Sequence, residues 1–256
     1  MKPEGVKHKN YEILNLIGYG LAKFDDDFVK QFGFKNKSAF YNYIVENKIA
    51  ESVGTVKNRQ DLFDPFFDNG RKGWWQKGNA YIHRKILIDN LFGTLDISEF
   101  SQIVKLYLTE NFKLKIEQKA EINPILKSKF KQLQITGQEA EIYFLNNYKS
   151  ISIFENGKLE DARLFGDGYD FQIEVSPIFY LAEVKGVRAN SGSIRITQNE
   201  YLKAKEYKEK YILSVVCNLN DVPKITTIEN PLKNLNFSVK EIINKQINYH
   251  SENIKW

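Results

Sequence analysis

The stretch that decides the fold is residues 166–186, which read GDGYDFQIEVSPIFYLAEVKG. Glycines interrupt the chain at its start, and apolar residues then alternate with polar ones, which predicts a strand over residues 169–175. Ser176-Pro177 predicts a turn, and residues 179–184 predict the next strand. We therefore expect two neighbouring strands joined by a short turn.

Three charged side chains lie at the ends of these strands: Asp170 in the first, and Glu183 and Lys185 in the second. Because side chains alternate along a strand, Glu183 and Lys185 point to the same face, and hairpin pairing would bring Asp170 beside them. Two carboxylates gathered on one face are costly unless a cation neutralises them. A solvated surface pair is the alternative, since Glu and Lys two apart on a strand are common.

Mg²⁺ would neutralise these acids, because it binds through oxygen ligands and takes one or two carboxylates plus phosphate oxygens of a substrate. The metal would stabilise charge on the phosphate, and Lys185 would orient the attacking water, deprotonate it or hold a phosphate. The three residues therefore predict metal-assisted phosphate chemistry.

The elements around this hairpin alternate between helix and strand. The patterns predict a helix over residues 137–147 and a strand over 150–155. Thr197, with Glu200 three residues later, predicts a capped helix over 197–210. Strands are predicted over 211–217 and 224–228. This order predicts an α/β fold with a mixed sheet flanked by helices.

At this point the residues resemble a family. Asp170, followed by Glu183-Val184-Lys185, is similar to the core of the PD-(D/E)XK nuclease superfamily. More narrowly, about 100 residues, 136–235, resemble the domain at the C-terminus of the plant protein NO VEIN, a nuclease-like module also found in bacterial restriction proteins. The matching strings are residues 137–141 (GQEAE), 168–171 (GYDF), 183–186 (EVKG), 197–200 (TQNE), the strand 211–216, and Asn230-Pro231.

The resemblance implies that Asp170 and Glu183 hold Mg²⁺ and that Lys185 activates or positions the nucleophilic water. It also implies a further acid on the preceding helix, where Glu139 and Glu141 both stand. They lie about 200° apart on a helix, so only one can face the site, and the family's Ala-Glu pair favours Glu141. Gln198 occupies a position where a basic residue is frequent, and we expect it to contact a phosphate or water.

The N-terminal half lies outside the resemblance and is mostly helical by pattern, with helices over residues 11–21, 80–91 and 97–108, the last capped by Ser98. Residues 27–32, a turn at Gly33-Phe34 and residues 35–45 have the rhythm of a helix-turn-helix, although such pairs also occur in ordinary bundles. Its second helix would present side chains to the major groove of DNA. These are Lys35, Asn36, Lys37, Tyr41 and Asn42.

Residues 56–78 are rich in Gly, Asp, Asn and aromatic residues, which predicts a loop. Its basic residues and tryptophans suit phosphate contacts combined with stacking or wedging against bases. The alternative is that the tryptophans pack under the loop. The candidates for DNA contact are Lys57, Arg59, Arg71, Lys72, Trp74, Trp75 and Lys77.

Composition limits the class of protein. The chain has 256 residues, 42% hydrophobic and 14% aromatic, which excludes a wholly disordered chain. No apolar run reaches the roughly 18 residues that span a bilayer. The single cysteine, Cys217, excludes an internal disulfide and fits a reducing cytoplasm. Residues 1–130 carry 21 Lys and Arg against 16 Asp and Glu, whereas the remainder is balanced at 16 each. The basic excess points to nucleic acid or another anionic surface.

Together these features predict a cytoplasmic, Mg²⁺-dependent endonuclease of double-stranded DNA, a Type II restriction enzyme. Residues 1–128 would recognise DNA and residues 129–256 would cut it, with a linker over 119–127. Cutting both strands needs two sites, which favours a homodimer, and a companion DNA methyltransferase would protect the host. The alternatives are a repair or modification-dependent nuclease with the same core, and a DNA-binding regulator with a silent nuclease fold.

Overall fold

The computed structural model describes residues 10–116, 124–125, 128–129, 136–241 and 249. The N-terminal part of this range is helical, as expected. Most of the predicted linker, residues 119–127, lies outside the described residues. The five helices before it are α1 (Tyr11–Lys30), α2 (Lys37–Glu46), α3 (Val53–Phe63), α4 (Ile82–Phe92) and α5 (Ile97–Phe112).

The central helix of this region is α1, which packs against α3 and α5. Its first half is apolar nearly all round, so residues such as Leu16 and Ile17 are fully buried. Gly18 allows close contact with α3, because a Cβ atom there would stand 2.5 Å from the carbonyl oxygen of Arg59. The helix is kinked at Asp25, whose φ is 50°. The piece predicted separately over residues 27–32 is therefore the end of α1.

Side-chain caps fix where the following helices begin. The Asn36 side chain accepts a hydrogen bond from the Ala39 N–H at 2.9 Å, which starts α2. At α5, Asp96 and Glu99 form a capping box. The prediction that Ser98 caps this helix is thus wrong by two positions, since Asp96 has the acceptor oxygen and Glu99 the reciprocal carboxylate.

The prediction of a loop over residues 56–78 is wrong in its first part, because α3 extends to Phe63. Apolar periodicity did not reveal this helix, since its buried side includes the polar residues Arg59 and Gln60. Turns and short 3₁₀ segments follow, at Asp64–Phe66 and Trp75–Lys77.

The C-terminal part contains one five-stranded sheet in the order β1-β2-β3-β4-β5, with β3 and β4 parallel and all other neighbours antiparallel. This is the mixed sheet that the sequence predicted. Ser176-Pro177 joins β2 to β3. The strands are β1 (Lys158–Asp161), β2 (Phe171–Val175), β3 (Ile178–Gly186), β4 (Tyr211–Cys217) and β5 (Lys224–Glu229).

The prediction of a strand over residues 150–155 is wrong. This segment forms two 3₁₀ turns, Tyr148–Ser150 and Ser152–Phe154, and the sheet starts at Lys158. The reason is packing, because the Phe154 side chain is fully buried against the core of the sheet. Gly157 then passes so close to β2 that a Cβ atom would stand 2.5 Å from Ile173.

Helices cover both faces of the sheet. On one face α6 (Thr136–Asn147) packs over a core that includes Phe144, Phe171 and Val184. On the other face α7 (Gln198–Tyr207) packs over Leu181 and Tyr211 through Ala204. The short α8 (Pro231–Asn234) follows β5.

The helical region and the sheet region are in contact. Helix α4 packs on α6, and Ile142 of α6 belongs to the apolar core of the N-terminal helices. Among the residues that the structure describes, no helix is long and apolar enough to cross a membrane.

Candidate active site

The β2–β3 hairpin brings Asp170 and Glu183 together. The β2–β3 ladder ends with the pair Phe171 and Ala182, and Asp170, just before β2, donates its backbone N–H to the Ala182 carbonyl oxygen at 3.0 Å. Glu183 follows Ala182 on β3 and points to the face that α7 covers, because Ala182 and Val184 point into the core on the α6 side. Asp170 Oδ2 accepts a hydrogen bond from the Val184 N–H at 2.8 Å. The carboxylate is thereby held in place and keeps its second oxygen available for a ligand.

Gly168 positions the chain for this arrangement. Its φ is +86°, and a Cβ atom would stand 2.7 Å from the backbone of Asn199 at the start of α7. Its carbonyl oxygen accepts a hydrogen bond from the Tyr211 hydroxyl at 2.9 Å. The glycine before Asp170 therefore lets the chain pass between β4 and the N-terminus of α7.

Lys185 completes the group on the same strand. Its Nζ donates to Glu183 Oε1 at 2.5 Å and lies 2.9 Å from Glu200 Oε2. Glu200 also closes the predicted capping box at the start of α7, where it accepts a hydrogen bond from the Thr197 N–H at 2.9 Å. The Glu200 carboxylate thus contacts both Lys185 and the first turn of α7.

The contact of Glu200 with the site was not predicted. The sequence assigned this residue only to the helix cap, because its distance from Lys185 depends on how α7 folds back over the sheet. A signal was present, since Glu200 belongs to the string at residues 197–200 that carries part of the family resemblance.

Burial and mutual repulsion disturb the ionisation of both acids. Burial raises the pKa of Asp170 to about 6, and the charges of Glu141 and Glu200 add to this, while the Val184 N–H and Lys185 oppose it. Burial and the charge of Asp170 raise the pKa of Glu183 to about 8. Both acids are therefore less readily ionised than carboxylates in water, and a cation bound beside them would favour their ionised form.

The two acids of α6 point in different directions. Glu141 forms an ion pair with Arg163 at 2.8 Å, and its charge contributes to the raised pKa of Asp170. Glu139 is only 1% exposed and faces the N-terminal helices, where it accepts hydrogen bonds from the Tyr11 hydroxyl and, at 3.1 Å, from Arg188. The structure thus places Glu141, and not Glu139, on the side of Asp170.

Arg163 is a further cation at the edge of the site that the sequence did not reveal. It lies between β1 and β2, donates to Asp161 Oδ1 at 2.9 Å and holds Glu141. Its guanidinium stands over the ring of Phe171 at 5.1 Å. No local motif marks this residue, because its partners come from a neighbouring strand and from α6.

A divalent cation fits the donor set. Two carboxylates converge, and burial, together with the charges of neighbouring carboxylates, raises the pKa of both. Within the described ranges, no three His, Cys, Asp or Glu side chains form a ready metal cluster. Mg²⁺ suits such a site, because it commonly takes one or two carboxylates and fills its other positions with water or substrate oxygens.

Three side chains expected on the DNA-reading helix make contacts within the protein. Tyr41 is buried and its hydroxyl donates to Gln60 Oε1 at 3.0 Å, so its prediction as an exposed groove contact is wrong. Lys37 forms an ion pair with Asp25, and Asn36 caps α2. Lys35 and Asn42 are exposed. The helix pair exists within a bundle, and its use as a helix-turn-helix stays a prediction.

The candidates from residues 56–78 also divide into two groups. Arg59 is 4% exposed and lies in α3, so the prediction that it belongs to an exposed loop is wrong. Arg71 is engaged by Asp61 at 3.2 Å and by the buried Asp64 at 2.8 Å. Trp74 is half-buried and packs on Tyr81, as the alternative interpretation expected. The exposed candidates are Lys57, Lys72, Trp75 and Lys77, together with Gln198 in the first turn of α7.

Comparison with known proteins agrees with the sheet region. Residues 140–228 match the family model of the C-terminal part of protein NO VEIN. The match contains all the acids around the site and Lys185, whereas the N-terminal helices lie outside it. Searches of curated proteins and of solved structures found no match. The α/β region is therefore similar to the C-terminal domain of NO VEIN.

Proposed function

We propose that this protein is a Mg²⁺-dependent endonuclease that hydrolyses phosphodiester bonds in double-stranded DNA, and that it acts as a Type II restriction enzyme in the cytoplasm. The observation that carries the proposal is the convergence of Asp170, Glu183 and Lys185 beside the β2–β3 hairpin, two acids and one lysine that act on one another. The resemblance of this arrangement to the PD-(D/E)XK core supports nuclease chemistry.

The roles of the residues follow from their contacts. Asp170 and Glu183 would hold the metal, which when bound supplies positive charge for the phosphate and lowers the pKa of a coordinated water. Lys185 orients the attacking water or holds a phosphate oxygen. Glu200 and Glu183 fix the position of its ammonium group. Glu141, held by Arg163, is the further acid near Asp170.

DNA recognition is assigned to the helical region. Its basic excess and the exposed lysines around α3 and the following turns suit phosphate contacts, which position a protein on DNA but do not read sequence. A homodimer would place two active sites on the two strands. A companion methyltransferase would protect the host's own sites.

The proposal is tested by incubating the protein with unmethylated phage DNA and Mg²⁺, and with Ca²⁺ in a parallel reaction. Mg²⁺ should support cutting. Ca²⁺ should support DNA binding without cutting, because its looser coordination positions the water poorly. Absence of cutting with Mg²⁺, under conditions where the protein binds the DNA, would refute the proposed activity.

The exposed lysines provide a prediction for DNA binding. Lys57→Ala, Lys72→Ala and Lys77→Ala should each weaken binding to all sequences alike, and each should reduce the salt slope of the binding constant by about one unit if the lysine contacts a phosphate. Binding is measured by fluorescence anisotropy at several salt concentrations. Lys224→Ala, an exposed lysine of β5, is the control and should change neither quantity.

Arg71→Ala should behave differently from these variants. Its guanidinium is already held by two carboxylates, and its removal leaves the fully buried Asp64 without this ion pair. We therefore expect Arg71→Ala to lower the stability of the fold and to leave the salt slope of DNA binding unchanged.

For the three exposed lysines, an unchanged salt slope in all of Lys57→Ala, Lys72→Ala and Lys77→Ala would show that this surface does not contact DNA phosphates.

Glu200 is expected to act by positioning Lys185. Glu200→Gln keeps an oxygen for the helix cap, since Gln also serves in a capping box, but it weakens the contact with the ammonium group. Cleavage should slow about tenfold, less than the roughly 10²–10⁴-fold that a group acting directly in catalysis contributes, because Glu200 acts only through Lys185. Glu206→Gln on the exposed side of α7 is the matched control, and equal rates for both variants would show that Glu200 only caps the helix.

A further inference from the structure

A cavity of ≈ 210 Å³ lies at the boundary between the helical region and the sheet region. Helix α3 contributes Asn58 and Arg59, and α4 contributes Arg84. Trp74 comes from the turns between these helices, and Asn220 and Asp221 come from the loop after β4. The cavity therefore joins residues far apart in the chain, and none of the residues assigned to the active site lines it.

Two guanidinium groups in its wall have little to neutralise them. Arg59 is 4% exposed and Arg84 is 1% exposed. Their hydrogen bonds within the described part of the chain go to neutral oxygens: Arg59 Nη1 to Asn15 Oδ1 at 3.2 Å, and Arg84 Nη2 to the carbonyl oxygens of Leu219 and Asp221 at 3.1 and 2.8 Å. Glu139 acts on both cations through space and Asp221 lines the cavity, but neither forms an ion pair with them within the described residues, so an anion that reaches the guanidinium groups would stabilise them.

Some donors and acceptors of the wall are also unused. Arg59 Nη2, Arg84 Nε and Asn220 Oδ1 are buried and find no hydrogen-bond partner in the described residues. Buried polar atoms normally have a partner, so a cluster of three beside one cavity calls for a ligand or water. Burial and the neighbouring charge of Arg84 lower the pKa of Arg59 to about 10, which still leaves it charged at neutral pH.

The remaining wall suits a flat, hydrogen-bonding molecule. The Arg84 guanidinium lies over the Tyr81 ring at 4.7 Å, so the ring on which a base can stack is that of Trp74, 6.1 Å from Tyr81 at an angle of 48°. The amide groups of Asn58 and Asn220 are the kind of side chain that pairs with the edge of a base. Guanidinium groups prefer phosphate oxygens. The volume is below the roughly 300–1,000 Å³ of typical ligand pockets, which limits the occupant to one small molecule.

We propose that this cavity binds a single nucleotide, with the base against Trp74 and the phosphate directed to Arg59 and Arg84. The nucleotide has two possible sources, a free deoxynucleoside monophosphate or a nucleotide extruded from bound DNA. Exposed basic residues next to the lining residues, Lys57 and Lys72, favour the DNA source. Only the DNA source rests on the proposed function, because nucleotide binding itself does not require cleavage.

The first arm of the test uses free ligands. Thermal shift and isothermal titration calorimetry are run on the full chain with dAMP, dCMP, dGMP and dTMP, and with inorganic phosphate and thymidine as partial ligands. At least one monophosphate should bind tenfold or more tightly than either partial ligand. Equal binding of inorganic phosphate would overturn the proposal, because it would show a simple anion site.

The second arm uses DNA. Duplexes that carry 2-aminopurine at successive positions are titrated with the protein in Ca²⁺, so that the DNA is bound without relying on cutting. A fluorescence increase at one position, lost in the cavity variants, would identify an extruded nucleotide as the source. If no monophosphate binds and no position responds, the proposal is overturned whether or not the protein cuts DNA.

The variants distinguish a ligand role from a structural role. Arg59→Met should weaken nucleotide binding at least tenfold, whereas the melting temperature without ligand should stay equal or rise, because an unneutralised buried charge is removed. A purely structural arginine would instead lower the melting temperature and leave binding by the folded protein intact. Asn58→Ala removes an exposed amide without risk to folding and should also weaken binding. Lys224→Met is the control, and retained binding in both cavity variants would refute the site.

Discussion

Lys185→Ala is expected to lower the rate of DNA cleavage at least about a hundredfold, within the range that a positioned acid–base or electrostatic group contributes. The cleavage rate should fall because the variant removes the ammonium group that pairs with Glu183 and Glu200 and lies next to Asp170. Asp170→Ala should have an equal or larger effect, since it removes an oxygen ligand for Mg²⁺. The measurement is a single-turnover cleavage assay with plasmid DNA.

Folding and DNA binding must be followed in the same variants. Circular dichroism should be unchanged, and Asp170→Ala should bind DNA at least as well as the wild type, because a negative charge near the phosphate is removed. Lys203→Ala, a half-buried lysine of α7 that pairs with Glu206, is the control and should cut normally. Wild-type rates in Lys185→Ala or Asp170→Ala would show that the site is assigned wrongly.

The second large effect is on stability, and it separates the two acids of α6. Glu139→Gln should lower the free energy of unfolding by about 1–3 kcal/mol, the usual cost of leaving a buried hydrogen-bonding group unsatisfied. The variant removes the buried carboxylate that accepts from the Tyr11 hydroxyl and from Arg188, while Arg188 keeps its ion pair with Glu12 at 2.8 Å. Cleavage per folded molecule should be nearly unchanged. Glu141→Gln should give the opposite pattern, at least tenfold slower cleavage and little loss of stability.

The difference in unfolding free energy between the wild type and Glu139→Gln should become smaller as the pH falls. Burial alone would raise the pKa of Glu139, but the adjacent His83, 3.3 Å away, and the charges of Arg188 and Arg84 lower it below the ordinary value of 4.5. A lowered pKa in the folded state gives stability that is present above the unfolded pKa and lost as the pH falls through the folded value. Urea unfolding should therefore show a large gap between wild type and Glu139→Gln at pH 7 that narrows in acid. Equal stability at pH 7 would contradict this account of Glu139.

The hairpin and its acids could be predicted because the information is local. Alternation of apolar residues defined β2 and β3, and strand geometry alone placed Glu183 and Lys185 on one face. The same holds for α6, where the helical repeat separated Glu139 from Glu141. The contact of Asp170 with Val184 follows from pairing of adjacent strands, which needs only a short turn.

Other features could not be predicted because they depend on distant parts of the chain. The partner of Glu139 is Tyr11, 128 residues earlier. Arg59 and Tyr41 look like surface residues by type, and only the packing of α3 against α1 and α2 buries them. Arg163 has no motif, since its role depends on the approach of α6 to β1.

The contacts of Glu139 also bear on the division of the chain into residues 1–128 and 129–256. A fragment that starts at residue 129 would expose Ile142, which packs in the core of the N-terminal helices. It would also leave Glu139 and Arg188 without Tyr11 and His83. We therefore expect such a fragment to aggregate more readily than the full chain.

The most direct test of the central claim is to sequence the ends of fragments that the full chain produces from unmethylated phage DNA in Mg²⁺. The account predicts cuts at one recurring sequence, no cuts in the presence of a chelator, and none with Lys185→Ala. Cuts only at modified bases or damaged sites would favour the alternative nucleases over a restriction enzyme. Fragments of the same sequence and amount from Lys185→Ala, or no fragments from a wild-type protein that binds the DNA, would contradict the claim that Asp170, Glu183 and Lys185 form a nuclease site.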